Sequence, residues 1–274
     1  MAKLYVLGSG IGLAGQLTAQ ARCVIEQADT VFALLAEPFA LDHLRSLKPD
    51  LISLSDHYGR GRTRDQSYAE MVQRIVEALD HCERVAAVFY GHPGVFVWPS
   101  HEAMRSARLR GHEATMLPGI SAEDCLLADL EIDPGFSGLQ SYEAFDFLVY
   151  PRRYDPSVPM VLWQLAVLGD WRRERFETEP AWLEGLARLL MEHYAPDHKV
   201  ALYEAVSFPL DSPRIEWIEL QCLSRAGIGQ ATTLFVPPGA APAPDLERLR
   251  SLGLEIDGLS EAKYQRIRRQ QFES

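Results

Sequence analysis

Thirteen residues, Asp56-His-Tyr58-Gly-Arg60-Gly-Arg62-Thr-Arg64-Asp-Gln-Ser-Tyr68, bring three arginines and two tyrosines together. A guanidinium beside a phenol favours the phenolate, drawing the tyrosine pKa below its usual value of about 10. A tyrosine so placed can take a proton from a weakly acidic N–H or O–H group. Composition alone also fits a solvated loop whose arginines neutralise acidic neighbours, and both readings stay open here. Tyr90 is a third phenol in a suggestive place. It ends the apolar run Val85-Ala-Ala-Val-Phe-Tyr90, which breaks at Gly91-His92-Pro93-Gly94. A second run, Glu113-Ala-Thr-Met-Leu117, breaks at Pro118-Gly119-Ile120-Ser121-Ala122. Short apolar runs bounded by Gly and Pro are buried strands, and glycine lets backbone N–H groups come close to a ligand. In open α/β sheets, ligands sit beyond the carboxyl ends of strands, where both turns fall.

Other chemistries find less support. His57, His92, His101 and His112 have no partners at ligand spacing, so no metal site is expected. Ser121 lacks the G-x-S-x-G elbow of a nucleophilic serine. Gly10-Ile-Gly12-Leu-Ala-Gly15 satisfies the dinucleotide pattern G-x-G-x-x-G. Its acidic partner is misplaced: Asp29 precedes the second strand, where a ribose-binding carboxylate belongs at the end, and Glu37 only partly repairs this. A tight strand-to-helix turn lining a cleft is the better reading.

The elements that must position these residues follow from periodicity. Strands are expected over 4–7, 30–36, 49–54, 85–90 and 113–117, with helices through Glu26 and from Tyr68 to Cys82. Alternation of strand and helix implies a parallel sheet of βαβ units in the first half. A second α/β half runs through a helix start at Ala122, strands at 160–164, 199–206, 216–220 and 232–236, and a helix over 182–193. The expected division is 1–120, 121–240 and a charged extension over 241–274, helical in parts.

Length and charge narrow the classes. A chain of 274 residues can bury a large core. A net charge of −11, from 38 acids and 27 bases, argues against a phosphate-neutralising nucleic-acid surface. Four dispersed cysteines form no disulfide framework. No signal peptide and no stretch of 18 apolar residues is present, so a cytoplasmic protein off the membrane is expected.

The layout from Leu4 to Pro238 resembles the tetrapyrrole methylase superfamily, an α/β fold of two lobes with the donor cleft between them. Tyr90-Gly-His-Pro-Gly-Val-Phe96, Met116-Leu-Pro-Gly-Ile-Ser-Ala-Glu-Asp124 and the Tyr58/Arg64/Tyr68 segment are most similar to the borosin peptide backbone α-N-methyltransferases. The resemblance implies S-adenosylmethionine as methyl donor, S-adenosylhomocysteine as product, and no metal. It implies donor contacts from Tyr90, His92, Val95, Phe96, Ser121, Ala122, Gln164, Tyr203, Thr232 and Thr233. It implies a catalytic group of Tyr58, Arg64 and Tyr68, with Tyr90 near the target amide. Either Tyr58 or Tyr68 is the base. Fused members continue into an apolar core peptide, whereas 245–274 here is charged and offers no run of Val, Ile, Leu or Gly. The expected arrangement is a split system: a ribosomally made precursor peptide in trans, on a homodimer, giving a heterotetramer with two precursor chains. The alternatives are a precorrin or porphyrinogen methylase, with Arg60, Arg62 and Arg64 binding carboxylates; an RNA ribose methylase, disfavoured by charge; and a non-catalytic partner that binds an adenosine ligand.

Overall fold

The computed structural model describes residues 1–13, 15–35, 37–55, 63–170, 175–208, 210–240 and 244–253. Tyr58, Arg60 and Arg62 lie outside the described residues. The chain divides into two compact units. One is Met1–Cys125 with Ala205–Ser212; the other is Leu126–Glu204 with what is described of Pro213–Ser274. The first unit therefore extends past the expected limit at residue 120, and it takes back a short segment from much later in the chain.

In the first unit, strands β1 (Lys3–Gly8), β2 (Thr30–Leu34), β3 (Ile52–Ser53), β4 (Arg84–Phe89) and β5 (Glu113–Met116) alternate with helices α1 (Ala19–Gln27), α2 (Pro38–Leu47), α3 (Arg64–Glu77) and α4 (Trp98–Leu109). All strand pairs are parallel, in the order β3-β2-β4-β1-β5. The apolar runs read as strands because both faces are covered. Leu4, Val6, Val85, Ala87 and Phe89 pack with Met71, Ile75, Ala103 and Ala107 of α3 and α4. Leu7, Ala86 and Val88, which point the other way, pack with Ala21 and Ile25 of α1 and Leu44 of α2. The expected βαβ sheet is present, although β2 and β3 are shorter than their apolar runs.

Helix α3 differs from expectation at its start. It begins at Arg64, four residues before Tyr68, because Thr63 and Gln66 form a reciprocal capping box. Arg64 and Tyr68 are thus one helical turn apart rather than in a connecting loop. The chain leaves the first unit within α5 (Ala122–Asp129).

The second unit runs α6 (Pro134–Ser137), β6 (Gln140–Glu143), α7 (Ala144–Val149), β7 (Met160–Trp163), α8 (Pro180–Leu190), β8 (Lys199–Glu204), β9 (Arg214–Glu219), β10 (Thr233–Val236) and α9 (Leu246–Ser251). Its sheet is ordered β6-β7-β10-β8-β9, with β6 and β7 parallel and the other pairs antiparallel. Phe147 of α7 and Leu183, Leu186 and Leu190 of α8 cover one face through Met160, Leu162, Val200, Leu202 and Leu234. Among the described residues no helix is long and apolar enough to cross a membrane.

Candidate functional site

At the carboxyl ends of β1, β4 and β5 three glycines meet backbone to backbone. A Cβ on Gly8 would stand 2.2 Å from the Gly91 carbonyl oxygen, and one on Gly119 would stand 3.0 Å from that oxygen and 3.1 Å from the Gly8 Cα. Gly10 and Gly91 both have positive φ, 75° and 71°, and pair as an antiparallel bridge, with Gly91 N–H donating to Gly10 O at 3.0 Å. Within the glycine loop, Gly10 thus packs against the first of the two turns. Helix α4 then fixes the Gly91-His-Pro-Gly turn. Ser100, fully buried, donates to the Pro93 carbonyl, and the His101 Nε2 lies 3.0 Å from the Gly94 carbonyl. His92 Nδ1 accepts the Gly94 N–H at 3.0 Å, so the neutral ring carries its proton on Nε2. Val95 and Phe96 stay about half exposed, and Phe96 adopts a left-handed backbone, φ 56°, that bulky residues avoid. At the second turn, Ser121 N and Oγ both donate to Asp124 Oδ2 at 2.7 Å. The Ser-Ala-Glu-Asp run is therefore the cap of α5.

Arg64 Nε donates to the Tyr68 hydroxyl at 2.6 Å, while the Tyr68 ring lies parallel to Trp98, centroids 6.1 Å apart. Trp98 was not foreseen; its signal was the Trp-Pro step that opens α4. Tyr90 lines a narrow cleft with Ser9, Glu37, His43, Ser207 and Phe208. Burial pushes the Tyr90 phenol above its ordinary pKa, against a smaller opposing effect of a hydrogen bond with the Ser207 side chain. Tyr90 therefore keeps its proton to higher pH than an ordinary tyrosine, which is itself neutral at physiological pH.

In the second unit, the four expected residues stand at one end of the sheet. Thr233 pairs in register with Tyr203, and Gln164 follows β7 beside them. Two of the four are engaged and buried: Tyr203 donates to Asp129 Oδ2 at 2.7 Å, and Thr232 donates to Glu204 while accepting the Gly229 N–H at 2.7 Å. Thr233 is buried as well. Gln164 is different. Its backbone is left-handed, φ 61°, and its buried Oε1 has no hydrogen-bond partner among the described residues. An orphaned acceptor on a strained residue is a mark of a ligand site. Among the described residues no group of three or more His, Cys, Asp or Glu could hold a metal ion.

A parallel α/β unit whose strand ends converge on glycine turns, followed by a mixed α/β unit, defines the class. The chain belongs to the tetrapyrrole (corrin/porphyrin) methylases, whose family pattern matches residues 3–213. Over 255 residues it is 35% identical to a methyltransferase/ribosomally synthesized cyclic peptide dendrothelin A precursor of Dendrothele bispora, covering 91% of this chain and 61% of that protein. It is 37% identical over 261 residues to a methyltransferase/ribosomally synthesized type I borosin cyclic peptide precursor of Coprinopsis marcescibilis, covering 92% of this chain and 67% of that one. The chain thus spans about three fifths to two thirds of the length of these relatives. Its fold matches that of uroporphyrin-III C-methyltransferase from Thermus thermophilus, solved with S-adenyl homocysteine, with a TM-score of 0.59 at 16% identity, covering 86% and 97% of the two chains.

Proposed function

We propose that this protein is an S-adenosylmethionine-dependent methyltransferase that N-methylates backbone amides of a ribosomally made precursor peptide supplied as a separate chain. The carrying observation is the Arg64–Tyr68 hydrogen bond at the start of α3. Relatives named both methyltransferase and cyclic peptide precursor support the peptide as substrate.

The proposed donor contacts are Tyr90, His92, Val95, Phe96, Ser121 and Ala122 in the first unit and Gln164, Tyr203, Thr232 and Thr233 in the second. The residues present suit such a ligand: glycine-built turns with close backbone approach, and an acceptor left open on Gln164. Tyr203 and Thr232 serve from behind, since their hydroxyls are engaged. S-adenosylmethionine supplies a methyl group made electrophilic by its sulfonium and leaves as S-adenosylhomocysteine with the C–S bonding pair.

An amide nitrogen is a poor nucleophile because its lone pair is delocalised into the carbonyl. Tyr68 is assigned as the base because, among the described residues, its hydroxyl accepts a hydrogen bond from Arg64 at 2.6 Å. In its phenolate form, favoured by the Arg64 guanidinium, Tyr68 takes the N–H proton and becomes a neutral phenol, and the nitrogen pair is freed to form the N–CH3 bond as the C–S bond breaks. Tyr90, a phenol whose pKa desolvation moves further upward, is suited to donate a hydrogen bond to the amide oxygen as imidate character grows.

The test is incubation with S-adenosylmethionine and a candidate precursor, read as mass increments of one methyl group localised to backbone nitrogens. Arg64→Ala and Tyr68→Phe are expected to cut turnover by about 100-fold or more, with S-adenosylhomocysteine affinity kept within a few-fold. Near-normal turnover in both variants overturns the mechanism. Methylation of a porphyrinogen but of no peptide overturns the substrate.

A further inference from the structure

One connected set of polar groups in the second unit remains without a task. Glu204 ends β8, and Arg214, its register partner, begins β9. Arg214 Nη1 donates to Glu204 Oε1 at 2.8 Å, and its Nη2 donates to Glu216 and, at 2.8 Å, to the Gly227 carbonyl. Glu204 Oε1 also accepts the proton of Thr232, whose Oγ1 accepts the Gly229 N–H. One guanidinium and one carboxylate therefore tie two strand ends to both halves of the turn before β10. Gly229 permits this closeness, since a Cβ there would lie 3.1 Å from Glu204 Oε1. The chain of contacts continues: the Thr232 carbonyl accepts the Leu165 N–H at 3.3 Å. Leu165 directly follows Gln164, the residue with the left-handed backbone and the open acceptor.

We infer that Glu204 and Arg214 are positioning residues for donor binding, acting through Thr232 to hold Gln164 in the conformation that presents its carboxamide to S-adenosylmethionine. The inference rests on the proposed role of Gln164 as a donor contact. Bidentate arginine suits the task because its fork spans carboxylate and carbonyl at fixed geometry. The charged pair touches no donor atom itself; its effect travels through a buried hydroxyl and one backbone hydrogen bond.

Calorimetric titration of the full chain with S-adenosylhomocysteine tests this, with thermal melting as the control for folding. Glu204→Ala is expected to weaken binding about tenfold, equivalent to about 1.4 kcal/mol. Glu204→Gln retains an acceptor for the Thr232 proton and should stay within about threefold of wild type, or about 0.7 kcal/mol. Thr232→Val should match Glu204→Ala and carries the test should Glu204→Ala fail to fold. The decisive measurement is a double-mutant cycle. On a Gln164→Ala background, Glu204→Ala or Thr232→Val should cost no further affinity, because the residue they position is gone. Unchanged affinity in folded Glu204→Ala and Thr232→Val, or losses that add to that of Gln164→Ala, overturns the inference. Failure of the wild-type protein to bind S-adenosylhomocysteine overturns instead the donor reading on which it rests.

Discussion

Gln164 stores strain for which its own packing gives no return. A left-handed backbone costs an L-residue roughly 1–2 kcal/mol, and glycine is spared that cost. Gln164→Gly is therefore expected to melt no lower than wild type, and up to a few degrees higher, while S-adenosylhomocysteine affinity falls about tenfold or more. A variant that melts lower and binds normally would remove Gln164 from the site. Tyr194 shows a different kind of cost. It is 3% exposed, its hydroxyl has no partner among the described residues, and burial raises its pKa. The unfolded chain releases that proton near pH 10, whereas the folded chain keeps it to higher pH. Above about pH 10 the folded state thus holds more protons, and stability must fall as pH rises, with no effect at neutrality. Tyr194→Phe should flatten that alkaline loss and at pH 7 melt at or above wild type, since an unsatisfied buried hydroxyl costs about 1–3 kcal/mol. A steeper alkaline loss in the variant would contradict this.

At the scale of elements, the glycine contact is the most exacting feature. Gly8→Ala would place a methyl against the Gly91 carbonyl and Pro93 Cδ. Both are held by β4 and by the buried Ser100 of α4, so neither can retreat cheaply. A loss of about 1–3 kcal/mol is expected in chemical denaturation, and a neutral outcome would show that the turn is soft. Strands β1, β4 and β5 were legible because each is an apolar run ending in Gly or Pro. The start of α3 was not, because its cap, Thr63, lies in an arginine-rich stretch without apolar periodicity. Helices α2 and α4 were not expected for a related reason: each carries a proline in its first two positions, which in sequence also reads as a break. Of the site, Tyr90 and the two turns could be seen in the residues. The Glu204–Arg214–Thr232 set could not, because it depends on the antiparallel register of β8 with β9 and on a turn near residue 229.

For the whole molecule, the proposed assembly is a homodimer that takes up two precursor chains. Native mass spectrometry should give two copies of this chain alone and a two-to-two complex with peptide; a one-to-one complex would exclude it. The backbone path has a further effect. Residues 205–212 belong to the first unit, where the Ser207 carbonyl accepts the Leu13 N–H at 2.7 Å and Phe208 packs edge-on against Phe39. Ser207 and Phe208 of this strip form part of the lining of the Tyr90 cleft. On the ribosome the first 125 residues can collapse around their parallel sheet, but they must wait for all of 126–204 to be translated before that strip arrives. At about 5–20 residues per second the wait lasts several seconds. Through that interval the nascent first unit lacks Ser207 and Phe208 from the lining of its tyrosine cleft, and the last piece of the first-made unit is supplied by the synthesis of the second.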